Sequence, residues 1–344
     1  MTLYRVGIVG ATGYAGGELL RILAQHPNAT LHWVGSRSDA GKRVDEIYPN
    51  LRGFVDLCFE DIHIDTMAQC DVIFFATPNG TAMNYAPHLL EKNVRVIDLS
   101  ADFRIQDIAL WEKWYGMTHA CPELVADAVY GLPEVNRVEI QKARLIACPG
   151  CYPTAIQLAL LPALSAGIIE VDSIIADAKS GVSGAGKQSK VHLLMSEHSE
   201  NFYAYSVNGH RHLPEIEQQL SFVARQPVSL TFVPHLLPIA RGIEATIYAT
   251  LTKSMDFDTL YQQYYEKEPF VDFLPEGLPP QTKHVRGSNV CRLSVCRPQQ
   301  GKKLVILATI DNLVKGAAGQ AVQCMNIMYQ LPETAGLSTI PVVP

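Results

Sequence analysis

The chain begins with a pattern that leaves few choices. Residues 4–9 (YRVGIV) are a β-rich run, Gly10 to Gly17 a glycine-rich turn, and 18–26 a helical pattern closed by Pro27 and Asn28. A second strand-like run follows at 30–35. Strand, glycine turn, helix and strand within about 30 residues form a βαβ unit, which commits the two strands to a parallel sheet. The alternation continues. Asp71–Ala76 (DVIFFA) is an unbroken apolar run of the kind buried on both faces. Residues 81–92 read as a helix and 94–99 (VRVIDL) as another strand. Up to about residue 147 the sequence therefore predicts an α/β fold with a Rossmann-type, doubly wound parallel sheet.

The second half has a different grain. A helix over 153–166 precedes strand-like runs at 173–178, 228–233, 243–252, 291–296 and 303–310, with helices only at 213–223 and 257–266. Several strands with few helices predict an α+β domain with a mixed sheet. The length of 344 residues fits two domains at roughly 150 residues each. The last helical pattern, 317–329, follows a strand and a turn and can pack back on the first domain. We therefore expect one domain from 1–147 completed by 312–344, and a second from 148–311.

Composition narrows the partners. Lys+Arg 28 against Asp+Glu 34 gives a net charge of −6, so no broad basic surface for nucleic acid is expected. A hydrophobic fraction of 48% with 18% charged residues argues against disorder. No apolar run reaches the ~18 residues of a membrane span, and the first residues run straight into a strand without a leader pattern. Eight cysteines are scattered along the chain. The expectation is a cytoplasmic protein with reduced thiols and no membrane partner.

Gly10, Gly13 and Gly16 have G-x-x-G-x-x-G spacing between the first strand and the first helix. Glycines there permit a tight turn and close backbone approach, and the helix start offers unpaired N–H groups to a pyrophosphate. The alternative is a plain βα turn. The next strand ends in Ser36 and Arg37, which favour the 2′-phosphate of NADP, while Asp39 is a competing signal for NAD.

Cys148 and Cys151 have C-x-x-C spacing. A zinc pair would need a second close pair, and Cys291 and Cys296 do not supply one; no metal is expected. A redox pair belongs in a different βαβ setting. Pro153 suits a first helical turn and leaves Cys151 at or just before the helix start, where partial positive charge favours a thiolate nucleophile. An inert core thiol is the plain alternative. His210 is a candidate acid or base, Glu215 a carboxylate able to orient a histidine or simply suit a first turn, and the His210/His212 pair lacks further metal ligands. Ser180–Lys187 is a second glycine-rich segment whose Lys187 can face an anion; Gln188 stands where a P-loop needs a hydroxyl.

Taken together, GATGYAG at 10–16, DLSADFR at 98–104, YGLPE at 130–134, ACPGCYPT at 147–154, KSGVSGAGK at 179–187, GHRHLPEI at 209–216 and DNLVKGAAGQAVQ at 311–323 resemble the N-acetyl-γ-glutamyl-phosphate reductase family, within the aspartate-semialdehyde-dehydrogenase-like reductases. The resemblance implies NADPH as reductant, an anionic acyl-phosphate substrate with phosphate as product, and Cys151 as nucleophile, in arginine biosynthesis. It implies cofactor contacts from Gly10, Thr12, Gly13, Tyr14, Ala15 and Gly16, from Ser36, Arg37, Thr77 and Pro78, and from Ser180, Gly181, Asn312 and Gly316. By the same match His210 is the base candidate, with Arg104, Ser180, His212 and Glu215 near the substrate. The second domain would carry catalysis and assembly into a homodimer or homotetramer. A reductase for another acyl phosphate, or a non-catalytic NADP-binding protein, stays open on sequence grounds.

Overall fold

The computed structural model describes residues 3–275 and 277–343. In chain order its first half comprises β1 (Tyr4–Val9), α1 (Tyr14–Leu23), β2 (Ala29–Gly35), α2 (Val44–Ile47), α3 (Ile64–Met67), β3 (Val72–Phe75), α4 (Ala82–Glu91), β4 (Arg95–Asp98), α5 (Ile108–Tyr115), β5 (Val129–Tyr130), α6 (Pro133–Lys142) and β6 (Leu145–Ala147). There follow α7 (Cys151–Ser165), β7 (Ile174–Gly181), α8 (Met195–His198), β8 (Tyr203–Ala204), α9 (Leu213–Ala224), β9 (Leu230–Leu237) and β10 (Ile243–Thr250). The chain ends with α10 (Phe257–Tyr265), β11 (Val271–Phe273), β12 (Cys291–Cys296), β13 (Lys303–Ile310) and α11 (Gly319–Met328). The described chain divides into two compact units. Residues 3–150 join Ala317–Thr339 in the first, and Cys151–Gly316 joins 340–343 in the second.

The first unit holds a six-stranded sheet in the order β2-β1-β3-β4-β6-β5, and every pairing is parallel. Strand order reverses at β1, so the crevice outside the carboxyl ends of β1 and β3 is the topological switch point where such sheets bind ligands. Both faces of β3 are buried, as its run of apolar residues requires. Helix α1 starts at Tyr14, earlier than the pattern from Glu18 suggests. Glycine is a poor helix former, yet Gly16 is inside the helix because a Cβ there would lie 2.5 Å from the Gly10 carbonyl oxygen. Helix α11 completes this unit. Asn326 bonds the His26 ring at 2.9 Å, Glu333 pairs with Arg137 at 3.0 Å, and the Tyr329 hydroxyl donates to the Asp71 carbonyl.

The second unit holds a seven-stranded mixed sheet in the order β11-β12-β13-β10-β7-β9-β8. Helix α7 is apolar nearly all round and buried from Tyr152 to Leu164, packing on β10, β13 and α9. Pro162 inside α7 cannot donate to the Leu158 carbonyl, and the Tyr265 hydroxyl takes that acceptor instead. The Tyr261 hydroxyl donates to the neighbouring Ala159 carbonyl at 2.8 Å.

The unit boundaries differ from the sequence-based division at three places. Residues 148–150 lie in the first unit, which runs to Gly150. Residues 312–316 lie in the second unit, because the Asn312 amide is bonded to Gly242 and Ser183 and Gly316 abuts Cys151. The last residues also lie there, where the Val342 carbonyl accepts from Arg286. Among the described residues no helix is long and apolar enough to cross a membrane.

Candidate active site

In the first unit, the turn after β1 has the shape of a phosphate cradle. Gly10 is left-handed at φ +79°, and its carbonyl accepts from the Gly13 N–H at 3.2 Å. The first intrahelical bond of α1 runs from Gly17 N–H to Gly13 oxygen, so the N–H groups of Tyr14, Ala15 and Gly16 precede it. A Cβ at Gly13 would meet nothing closer than 3.6 Å, which leaves open space before those donors. Thr12 and Tyr14 flank the turn. The Tyr48 hydroxyl, which sequence reasoning missed, bonds the Gly13 carbonyl at 2.9 Å and supports the turn from below. These groups fit a pyrophosphate.

At the end of β2, Ser36 is buried and Arg37 exposed. The competing acid, Asp39, is engaged: Lys42 donates to it at 2.8 Å and Ser38 at 2.7 Å, and the Lys42 bond foremost holds its carboxyl below the usual range. Arg37 has no carboxylate partner among the described residues. The local chemistry therefore presents a free guanidinium and a spoken-for acid, which suits a 2′-phosphate over a bare ribose.

Two more turns lie at the carboxyl ends of this sheet. The β3–α4 turn carries Thr77 and Pro78, and the Thr77 hydroxyl is buried without a partner. The β4–α5 turn carries Arg104. Its guanidinium is almost wholly buried and donates to the carbonyls of Cys148 (2.6 Å) and Leu99 (2.8 Å). Arg104 thus fastens its own turn to the end of β6, a bracing role that the expected substrate clamp did not include. Below it, Asp98 accepts from the N–H and hydroxyl of Ser100, and burial together with neighbouring Asp102 pushes its carboxyl well up.

In the second unit, Cys151 is the first residue of α7 and partly exposed. A Cβ at Gly316 would lie 2.8 Å from the Cys151 Cβ, so the final turn before α11 closes one side of the thiol. Gly316 and Asn312, expected at the cofactor, are here respectively the wall beside the thiol and the tie between Gly242 and Ser183, at 2.8 and 2.9 Å.

Around Tyr152 an aromatic cluster gathers the histidines. The Tyr152 ring lies 5.9 Å from His210 and 6.0 Å from His212, and His210 is edge-on to Tyr205 (5.7 Å) and Phe232 (5.4 Å). The Tyr205 hydroxyl donates to that of Tyr152, which donates to the His235 carbonyl. Burial first, then Arg211, lowers the His210 pKa to about 4, while burial pushes the Tyr205 phenol up to about 12. Both tyrosines are within electrostatic reach of Cys151. His210 Nδ1 accepts from the His212 N–H at 3.1 Å. A neutral ring with Nδ1 accepting carries its proton on Nε2. With Nδ1 engaged, Nε2 is the ring nitrogen through which the acid or base role expected for His210 would run.

Ser180 is buried with its hydroxyl on the Gly181 carbonyl, and Gly181 is packed against Ala240. Glu215 is fully buried in the first turn of α9, close in sequence to both histidines, and Lys187 is exposed. Tyr152, Tyr205 and Phe232 escaped sequence reasoning; Tyr152 adjoins the cysteine in the motif, whereas the other two come together only through the sheet. No group of three or more His, Cys, Asp or Glu side chains among the described residues is placed to hold a metal.

A doubly wound unit with a glycine turn, followed by a mixed-sheet unit that begins on a cysteine, defines the semialdehyde dehydrogenase class. Its models match here: "Semialdehyde dehydrogenase, NAD binding domain" over residues 5–143 and "Semialdehyde dehydrogenase, dimerisation domain" over 151–312. Among solved structures, aspartate semialdehyde dehydrogenase II from Vibrio cholerae superposes with a TM-score of 0.74 at 18% identity, covering 96% of this chain and 99% of that one. The Candida albicans enzyme, solved with NADP, gives 0.71 at 16% identity over 95% and 99%. Sequence relatives are far nearer. The N-acetyl-gamma-glutamyl-phosphate reductases of Nitrosospira multiformis and Nitrosomonas europaea are 58% and 59% identical over 342 residues, 99% of this chain and 100% of theirs. The chain belongs to the N-acetyl-gamma-glutamyl-phosphate reductase family.

Proposed function

We propose that this protein reduces N-acetyl-γ-glutamyl phosphate to N-acetyl-L-glutamate 5-semialdehyde and phosphate, with NADPH, in arginine biosynthesis. The observation that carries the reading is Cys151 at the first residue of α7, walled by Gly316 and adjoining the Tyr152–His210 cluster. The helix start favours the thiolate and offers backbone N–H groups to a developing oxyanion. The Cys151 sulfur attacks the acyl carbon, the C–O bond to phosphate breaks with its electron pair leaving on phosphate, and a thioester remains. The Gly10–Gly16 turn with Ser36, Arg37, Thr77 and Pro78 would hold NADPH, which when bound would supply hydride to the thioester carbon. The C–S bond then breaks, the aldehyde forms and the Cys151 thiolate is restored.

His210 serves this sequence as a neutral Nε2–H donor to the carbonyl oxygen as it gains charge in each step. A donor at a pKa of about 4 stays neutral throughout the physiological range. Ser180, His212 and Glu215 line the substrate side, and Arg104 holds the turn that faces the substrate's anionic end. The chain acts in the cytoplasm as a homodimer or homotetramer assembled through the 151–312 segment. The direct test is phosphate-dependent reduction of NADP by N-acetylglutamate semialdehyde, with aspartate semialdehyde alongside. A rate with the acetylated substrate at least about a hundredfold higher is expected; equal rates, or NADH outperforming NADPH, sink the assignment. Sedimentation of the pure protein reads the assembly, and a monomer at micromolar concentration refutes that part.

A further inference from the structure

Two turns of the first unit are tied to each other by groups that the proposed chemistry does not use. Asp102, fully buried on the β4–α5 turn, accepts from the Gly80 N–H at 2.7 Å on Oδ1 and from the Met83 N–H at 3.1 Å on Oδ2. In return, Asn79 Oδ1 on the β3–α4 turn accepts from the Ala101 N–H at 3.1 Å. Each turn thus supplies one acceptor and the other turn supplies the donors. The far side is pinned as well: Trp111 donates to the Ala101 carbonyl and the His119 ring bonds that of Asp102, both at 2.7 Å.

The position of this clasp gives it meaning. Thr77 and Pro78 stand two and one residues before Asn79, and Arg104 two residues after Asp102. The Asp102 carboxylate also satisfies donors at the start of α4, where orphan N–H groups carry partial positive charge, so the tie is charge-assisted. A bond of this kind holds a turn more firmly than a neutral pair does.

We infer that Asp102 is a positioning residue for the cofactor: through Gly80 and Met83 it sets the height of the Thr77–Pro78 turn, without touching the dinucleotide itself. The inference rests on the reading above that these residues face NADPH. Asp102→Asn keeps the side chain's size but replaces one accepting oxygen by an NH2 that opposes a backbone N–H. Direct titration of the purified full chain with NADPH reads the result. Loss of one charge-assisted bond is expected to raise the NADPH Kd about tenfold. The loss should appear in KM for NADPH before it appears in kcat. A purely structural residue would lower the melting temperature and leave the Kd of the folded protein alone, so a Kd within twofold of the parent overturns the proposal. Asn79→Ala breaks the reciprocal bond from the less buried side and is expected to weaken NADPH binding in the same direction; it decides the matter if Asp102→Asn does not fold, and an unchanged Kd there overturns it too. Failure of the parent protein to bind NADPH at all would instead refute the cofactor assignment.

Discussion

Cys151 and His210 invite opposite kinds of experiment. Replacing Cys151 by Ser keeps the shape of the α7 start but removes the soft nucleophile. Turnover is expected to fall at least about a thousandfold while NADPH titrates as before; residual activity near that of the parent refutes the nucleophile. His210 is tested through stability. Its folded pKa of about 4 lies below the unfolded value near 6.5, so between those limits the unfolded chain binds a proton that the folded chain refuses. Stability is therefore complete above about pH 6.5 and falls as pH drops toward 4, by at most about 3 kcal/mol from this group. His210→Gln should flatten that part of the profile in urea titrations at pH 4.5 and 7; an unaltered slope shows that the ring is not buried neutral. The cysteine was legible in the sequence because a single proline two residues on marks a helix start. The protonation of His210 was not, because it depends on the backbone N–H of His212 folding back to Nδ1 at 3.1 Å, a contact that no spacing rule reveals.

At the scale of elements, the glycines and prolines explain both the successes and the misses of sequence reading. Strands β12 and β13 were read to the residue because their apolar runs end at clear turn signals. Helices α5 and α6 went unread: α6 is mostly polar and exposed, so it carries almost no apolar stripe. Helix α1 was started late, since two glycines weaken any helical pattern even where close packing demands one. Gly316 makes the same point beside the thiol. Gly316→Ala would push a methyl to 2.8 Å from the Cys151 Cβ, and kcat is expected to drop by more than about tenfold with the fold intact by circular dichroism. Normal turnover would mean that the wall yields. In the core, Tyr265→Phe orphans the carbonyl that Pro162 leaves behind in α7, and a loss of about 1–3 kcal/mol in denaturant unfolding is expected.

For the whole molecule, the arithmetic of length foretold two units, yet it could not locate the seam. The seam depends on which residues an amide or a glycine happens to touch, as Asn312 and Gly316 show. Deleting residues 317–344 is expected to leave the first unit without a cooperative thermal transition, since His26, Arg137 and Asp71 each lose one bond to a residue on or beyond α11; a sharp calorimetric transition for that truncation would show the helix to be dispensable. The same discontinuity has a bearing on synthesis. A nascent chain emerges from the ribosome at roughly 5–20 residues per second, and a domain folds as its last element appears. The nucleotide-binding sheet is fully translated by residue 150, but the helix that covers it is not finished until residue 328. For about ten to thirty-five seconds its uncovered face depends on chaperones or on slow collapse alone. The amino-terminal half of this protein is made first, yet it waits for nearly the whole chain before its own last helix arrives.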